Sequence, residues 1–218
     1  MWRALFLVLY LAVSAVHLYG CLKKDQTVRN ITKPLLMPLL AGFYIFAAPS
    51  IEWMVVLLIA TSWLGDLLLM LKGMKWFITG GVSFLGTHVL LVILYLRNIS
   101  FSYEGLIVAL LYILMGAGLL RTEQKWLKRY MPKPTIWMMI AYLAGNITMN
   151  LFAALQAVSS LNGGSVLILL GALLFLASDS LLFMVRFDKK LPFYGQHFNV
   201  MLTYTLAKLL IVLGFVFG

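Results

Sequence analysis

Long apolar segments alternate with short polar segments along the whole chain. The apolar segments run to roughly 16 to 24 residues, and a helix needs about 20 such residues to cross a hydrocarbon core of about 30 Å. The pattern predicts an all-α polytopic membrane protein with eight transmembrane helices in a single domain, residues 1–218. The helices are expected near Trp2–Leu22, Thr32–Ala47, Trp53–Leu71, Trp76–Leu96, Gly105–Leu120, Thr135–Val158, Ser165–Val185 and Gln196–Phe217.

The composition supports this interpretation. The chain is 63% hydrophobic and 11% charged, with a mean hydropathy of +0.98, which excludes an ordinary water-soluble globular domain. The segment Ala4–Gly20 resembles a signal peptide but is longer than a usual signal core, so we interpret it as the first helix. Every connection is short except Arg121–Pro134, which is expected to be the one long loop and leaves no room for a soluble domain.

A net charge of +10 would suit a nucleic-acid binder, but the cations are concentrated in the loops on one side of the predicted membrane. Fourteen lie in one set of loops and only Arg3 and Arg97 in the other. By the positive-inside rule the basic loops are cytoplasmic and both termini are not, and the short loops favour a bacterial inner membrane. The cytoplasmic set is Lys23, Lys24, Arg29, Lys33, Lys72, Lys75, Arg121, Lys125, Lys128, Arg129, Lys133, Arg186, Lys189 and Lys190.

The two halves of the chain resemble each other faintly. The matching pieces are Lys33-Pro34 with Lys133-Pro134, Leu40-Ala41-Gly42 with Leu143-Ala144-Gly145, and Asp66 with Asp179. Both aspartate helices would cross in the same direction, so the halves would form a parallel 4+4 repeat about an axis along the membrane normal. The alternative is chance similarity between apolar sequences.

Asp66 and Asp179 are the leading candidates for chemistry. Each lies about 13 residues into an apolar segment, which corresponds to ~20 Å of helix and leaves the carboxyl ~10 Å inside the cytoplasmic boundary. A carboxylate in hydrocarbon costs several kcal/mol unless it is compensated, so ionisable residues inside a span mark functional sites. We expect both side chains to point into the bundle and to face one cavity that opens toward the cytoplasmic leaflet.

Five of the further polar residues within the predicted spans are candidates for substrate binding. They are His88, Asn146, Asn150, Tyr204 and Lys208. Asn146 with Asn150, and Tyr204 with Lys208, are i,i+4 pairs that share a helical face. Hydrogen bonding between helices is the competing explanation for the asparagines, a neutral hydrogen-bonded core histidine for His88, and a buried ion pair with one aspartate for Lys208.

Lys33 precedes Pro34 at the predicted start of the second helix. A helix amino terminus and a cation together would suit a phosphate group, although a lysine that reaches toward the interface is an equally ordinary explanation. His17, His88 and His197 raise the possibility of a three-histidine zinc site, but their estimated depths differ. The expected chemistry therefore requires no metal and no organic cofactor.

Several phrases of the sequence together resemble the YhhN-like family of lysoplasmalogenases. They are Thr32-Lys33-Pro34-Leu35-Leu36-Met37-Pro38-Leu39-Leu40, Leu64-Gly65-Asp66-Leu67-Leu68-Leu69-Met70, Phe84-Leu85-Gly86-Thr87-His88, Ser178-Asp179-Ser180 and Thr203-Tyr204. The resemblance covers nearly the whole chain. It implies an eight-helix membrane hydrolase that cleaves the vinyl ether of a lysoplasmalogen to a fatty aldehyde and glycerophosphoethanolamine or glycerophosphocholine.

The resemblance also implies site roles for Lys33, Asp66, His88, Asp179 and Tyr204, whereas Lys208 stands where it predicts an uncharged amide. In this interpretation Lys33, helped by Tyr204, would hold the phosphate of a lysophospholipid whose tail lies between the helices. The expected partners are this substrate and the surrounding membrane lipids.

Acid cleavage of a vinyl ether suits a pair of carboxyl groups. Protonation of the outer alkene carbon gives an oxocarbenium ion, water attacks it, and the hemiacetal collapses. Burial and a neighbouring carboxylate both favour the neutral form of one acid, so one aspartate can hold a proton while the other stays charged. The sequence leaves open which aspartate is the acid.

Two other functions use similar features. A proton-coupled transporter of lipids or small molecules also needs paired intramembrane carboxylates and Pro-interrupted helices. A non-catalytic subunit is the third possibility, although buried charges without a task argue against it.

Overall fold

The computed structural model describes residues 1–100, 102–130, 133–187 and 196–218. Over these residues the chain forms eight α-helices and no strand, and each helix contains a span long and apolar enough to cross a membrane. The helices are α1 (Trp2–Leu22), α2 (Gln26–Ala47), α3 (Trp53–Met70), α4 (Met74–Leu96), α5 (Tyr103–Tyr130), α6 (Lys133–Ser159), α7 (Gly163–Phe187) and α8 (Gln196–Phe217). The prediction of an all-helical membrane protein with eight helices is therefore confirmed.

Helix α2 begins six residues before the predicted start at Thr32. Asp25 caps it, because one of its carboxylate oxygens accepts hydrogen bonds from the backbone N–H groups of Thr27 at 2.9 Å and Val28 at 3.1 Å. Pro34 then lies inside the helix rather than at its start. Lys133-Pro134, in contrast, begins α6, so the two Lys-Pro pairs of the proposed repeat do not occupy equivalent places. The repeat itself stays a prediction.

The second proline of α2 creates a link to α3. Pro38 has no N–H to donate to the carbonyl of Pro34, which a regular helix would require. The indole N–H of Trp63 donates to that carbonyl instead, at 2.8 Å. A hydrogen bond between helices thus satisfies the backbone group that the proline leaves free, which matters in a membrane where no water can do so.

Helix α5 continues ten residues past its predicted end at Leu120. The segment Arg121–Tyr130, which was expected to be loop, is helical because it contains no Gly or Pro and is rich in Arg, Lys, Glu, Gln and Leu, which favour helices. Most other observed bounds lie within two residues of the predicted ones, and α6 and α7 each begin two residues early.

The helix contacts form a closed ring. The order of neighbouring helices around the ring is α1, α2, α3, α4, α6, α7 and α8, and α8 also contacts α1. Helix α5 packs against α6 outside this ring and exposes apolar side chains such as Ile107 and Leu114. Helices α7 and α8 are the closest pair: a Cβ at Gly171 would lie 2.9 Å from the carbonyl oxygen of Ala207.

Basic residues concentrate at one end of the bundle, which we call the basic end and define by Lys23, Lys24, Lys72 and Arg186. Alternation of the helices places both chain termini at the opposite end. Which end faces the cytoplasm stays a prediction, and Lys189 and Lys190, which contribute to it, lie outside the described residues.

Candidate active site

A cavity of about 690 Å³ lies inside the ring and extends to the basic end. Its volume falls in the range of pockets that bind small molecules. Asp66 and Asp179 both line it, so the two carboxyl groups face one chamber, as expected. The other lining residues are His17, Gln26, Arg29, Asn30, Lys33, Leu69, Met70, Leu71, Lys72, Phe77, Phe84, Ser178, Leu182, Val185, Arg186, His197, Val200, Met201 and Tyr204.

Asp66 on α3 is held by one cationic and one neutral partner. Its Oδ1 lies 3.4 Å from the ammonium of Lys33 on α2, and its Oδ2 accepts a 2.6 Å hydrogen bond from the Tyr204 hydroxyl on α8. The side chain is 3% exposed, and that of Lys33 is 17% exposed. Asp66 is therefore a buried ion-pair partner, and its contacts join α2, α3 and α8.

This geometry corrects the prediction for Lys33. Lys33 lies eight residues past the cap at Asp25, so the free N–H groups of the helix start are not near its side chain. The expected phosphate site at the amino terminus of this helix is wrong. Lys33 is instead the partner of Asp66, and it lines the same cavity.

Asp179 on α7 has neutral hydrogen-bond donors. Its Oδ2 accepts from the Tyr142 hydroxyl and from the Asn146 side-chain amide of α6, each at 2.6 Å. The Nε2 atom of His88 on α4 lies 3.9 Å from the same oxygen, beyond hydrogen-bond distance. Within the described residues neither ring nitrogen of His88 has a hydrogen-bond partner, so the alternative explanation, a hydrogen-bonded core histidine, is wrong. A role of His88 in substrate binding stays a prediction.

The two asparagines act together and away from the cavity. Asn150 donates to the side-chain oxygen of Asn146 at 2.9 Å, as their i,i+4 spacing suggested, and Asn146 donates to Asp179. Neither asparagine lines the cavity. Their geometry matches the interhelical hydrogen bonding that was the alternative to substrate binding, and it fixes the orientation of the Asp179 carboxyl.

The ammonium of Lys208 packs against aromatic rings rather than forming an ion pair. Its ammonium donates to the Ser62 hydroxyl at 2.9 Å and lies 3.7 Å from the centroid of the Phe175 ring. Among the described residues it has no carboxylate within 4.0 Å, so the alternative explanation, a buried ion pair with an aspartate, is wrong. A role of Lys208 in substrate binding stays a prediction. Attraction to the aromatic face compensates the buried charge in part.

The three histidines do not converge. His17 pairs with the Thr32 hydroxyl at 2.7 Å, His197 lies at the basic end of the cavity, and His88 is outside the cavity lining. In the part of the chain that the structure describes, no three His, Cys, Asp or Glu residues are placed to hold a metal.

Sequence reasoning missed Tyr142, Arg29 and Arg186 as site residues. Tyr142 had a usable signal, because it continues the Asn146 and Asn150 series one turn earlier along the same face of α6. The two arginines had no such signal, since each stands near a helix end where basic residues are ordinary.

The arrangement offers two buried carboxyl groups with different partners, in one chamber with apolar walls and a basic end. No curated protein and no solved structure matches the chain. The model of the YhhN family matches residues 28–215, which include every candidate named above except His17. The chain therefore belongs to the YhhN family.

Proposed function

We propose that the protein is a membrane hydrolase that cleaves the vinyl ether bond of lysoplasmalogens, releasing a fatty aldehyde and a glycerophosphodiester. The observation that carries the proposal is the unequal pairing of two aspartates on one cavity: a cation holds Asp66, whereas neutral donors hold Asp179. Cleavage through an oxocarbenium ion needs one carboxyl that donates a proton and one that is charged.

Asp179 is assigned the role of general acid. Its Oδ2 already accepts two hydrogen bonds, from Tyr142 and Asn146. A proton on this carboxyl therefore resides on Oδ1, the oxygen left for the substrate. Transfer of that proton to the outer alkene carbon creates the cation at the carbon attached to the ether oxygen.

Asp66 is assigned the charged role. Its ion pair with Lys33 suits a carboxylate, and the hydrogen bond from Tyr204 fixes its second oxygen. A carboxylate on the cavity wall stabilises the positive charge that develops in the transition state. It then accepts the proton of the attacking water, which gives the neutral hemiacetal.

The proton balance closes over one turnover. Collapse of the hemiacetal breaks the bond between carbon and the glycerol oxygen. The hydroxyl proton of the hemiacetal returns to Asp179, and Asp66 gives its acquired proton to the leaving glycerol oxygen. Both carboxyl groups are then in their starting states, and the sum is one vinyl ether plus one water giving one aldehyde and one alcohol.

The shape of the cavity supports a substrate with one tail. Apolar residues such as Leu69, Phe84 and Leu182 line the cavity and also a small adjoining apolar pocket between α3, α4, α6 and α7. The alkenyl chain would pack against these residues, with the phosphate at the basic end. We further propose that the basic end faces the cytoplasm of a bacterial inner membrane, in line with the positive-inside rule.

The test is aldehyde release by the purified full chain in detergent, with lysolipids that carry a vinyl ether, an alkyl ether or an ester. We expect only the vinyl ether to yield aldehyde, in equal amount to the glycerophosphodiester. Asp179→Asn and Asp66→Asn should each lower kcat about a hundredfold or more. Glu104→Gln, which alters an exposed carboxylate on α5, should not.

Two results would reject the proposal. One is an intact vinyl ether after incubation with folded protein, particularly if sealed vesicles show that the lipid or a proton crosses the membrane, which is the behaviour of a transporter. The other is near-normal aldehyde release by both aspartate variants.

A further inference from the structure

A cluster of basic residues lines the basic end of the cavity and takes no part in the proposed chemistry. We call Arg29, Lys72, Arg186 and His197 the mouth cluster; they come from α2, the residues after α3, α7 and α8. All four side chains line the same cavity.

No anionic partner is described for the cations of the mouth cluster within residues 1–100, 102–130, 133–187 and 196–218. Among the described residues, ion pairs join Lys33 with Asp66 and Arg97 with Glu52, and His88 lies 3.9 Å from Asp179; none of these contacts includes a member of the mouth cluster. The partners described for Arg29 are neutral: a 3.4 Å hydrogen bond to the side chain of Gln26 and a contact with Cys21. Arginines without a described anionic partner at the rim of an apolar chamber are suited to a phosphate, which a guanidinium can bind through two parallel hydrogen bonds.

The described part of the same surface offers no free carboxylate for an ammonium group. The only carboxyl groups among the described lining residues are Asp66 and Asp179, which already have close partners. An aromatic face can also bind a quaternary ammonium. The Phe77 ring, however, already has the guanidinium of Arg186 at 5.2 Å from its centroid.

From these contacts we infer that the mouth cluster is a subsite for the phosphate of a lysophospholipid and that it selects anionic head groups over zwitterionic ones. This inference rests on the proposed function for the identity of the substrate class. The phosphate contacts Arg29 and Arg186, whereas Lys33 stays paired with Asp66. Head groups that end in a hydroxyl or a phosphate monoester bind more tightly than those that end in choline, because choline adds a cation beside Arg29, Lys72 and Arg186.

The experiment measures binding without catalysis. Saturated alkyl-ether lysolipids have no vinyl ether to cleave, so they serve as stable probes with a phosphate monoester, a phosphoglycerol or a phosphocholine head. Affinity is measured for the purified full chain in neutral-lipid nanodiscs at low and high salt. The variants are Arg29→Gln and Arg186→Gln, separately and together, and the matched control is Arg121→Gln, an exposed arginine on α5 outside the cavity.

We expect the two anionic probes to bind about tenfold more tightly than the phosphocholine probe at low salt, with a smaller ratio at high salt. Arg29→Gln and Arg186→Gln should each weaken anionic binding about tenfold, and the double variant should nearly abolish the ratio. Arg121→Gln should keep the wild-type ratio. Equal affinities for all probes, or an unchanged ratio in the folded double variant, would overturn the inference.

A further arm separates lipid from soluble phosphate. Glycerol 3-phosphate carries the same anion without a tail, and it should bind at least a hundredfold more weakly than the lysolipid because it buries no chain. Equal binding would assign the subsite to a soluble phosphate compound and overturn the lipid assignment. Failure of aldehyde release in the catalytic assay, with head-group selection intact, would reject the hydrolase proposal alone.

Discussion

Replacement of Lys33 by methionine should destabilise the protein and should do so through Asp66. The ammonium and carboxylate are 3.4 Å apart, and Coulomb's law gives about 5 kcal/mol for that separation at an effective dielectric constant of about 20. Because the Lys33 side chain is 17% exposed and water screens it in part, we expect a loss of about 3 kcal/mol in the free energy of unfolding, since the variant leaves a buried carboxylate uncompensated.

A double-mutant cycle separates this charge effect from lost packing. Asp66→Asn removes the stranded charge, so the double variant Lys33→Met/Asp66→Asn should recover about 2 kcal/mol relative to Lys33→Met alone. Neither should release aldehyde. Unfolding is followed by tryptophan fluorescence during titration of detergent micelles with SDS, and Lys23→Met, an exposed lysine outside the cavity, is the control, expected within about 0.5 kcal/mol of wild type.

Two results would refute this reasoning. The first is a Lys33→Met variant as stable as the Lys23→Met control, which would mean that the pair contributes nothing to the folded state. The second is a double variant no more stable than Lys33→Met, which would mean that the loss comes from packing of the lysine side chain and not from the unpaired carboxylate.

Two further predictions concern hydrogen bonding and helix packing. Tyr142→Phe removes one of the two donors to the proposed acid and should lower kcat about tenfold with little change in KM. The control is Tyr95→Phe, which removes a buried hydroxyl with no described partner and should leave aldehyde release unchanged. Equal effects of the two variants would show that Tyr142 does not position the acid. Gly171→Ala puts a methyl 2.9 Å from the carbonyl oxygen of Ala207 and should lower the free energy of SDS unfolding by about 2 kcal/mol. Gly118→Ala adds a methyl with nothing within 4 Å and should not destabilise the protein. A Gly171→Ala variant as stable as wild type would contradict the close approach of α7 and α8.

Hydropathy predicted the helices well where a span begins and ends at the membrane surface. The bounds of α1 and α8 match the expected ones, and α3 ends one residue early. The pattern failed where polar residues continue a helix beyond the hydrocarbon. The start of α2 depends on a cap at Asp25, and the end of α5 on helix-favouring charged residues, neither of which contributes to an apolar count.

The candidate site was predicted in part for a related reason. Carboxyl groups avoid lipid, so Asp66 and Asp179 had to point inward, and a bundle interior of this size brings them to one cavity. Their partners depend on helix rotation and on which helices are neighbours. The contact of Lys33 with Asp66, and the position of Lys208 over Phe175, both follow from tertiary packing that no local spacing encodes.

The similar settings of the two aspartates suggest equivalent residues, but their partners make them different. In α2 the lysine of the Lys-Pro pair lies two turns inside the helix, level with Asp66. In α6 the lysine of the other Lys-Pro pair begins the helix, nine residues and about 14 Å of helical rise before Tyr142, which meets Asp179. One carboxyl is thus paired with a cation, and the donors described for the other are neutral. That inequality is what proton donation by one acid and charge stabilisation by the other requires.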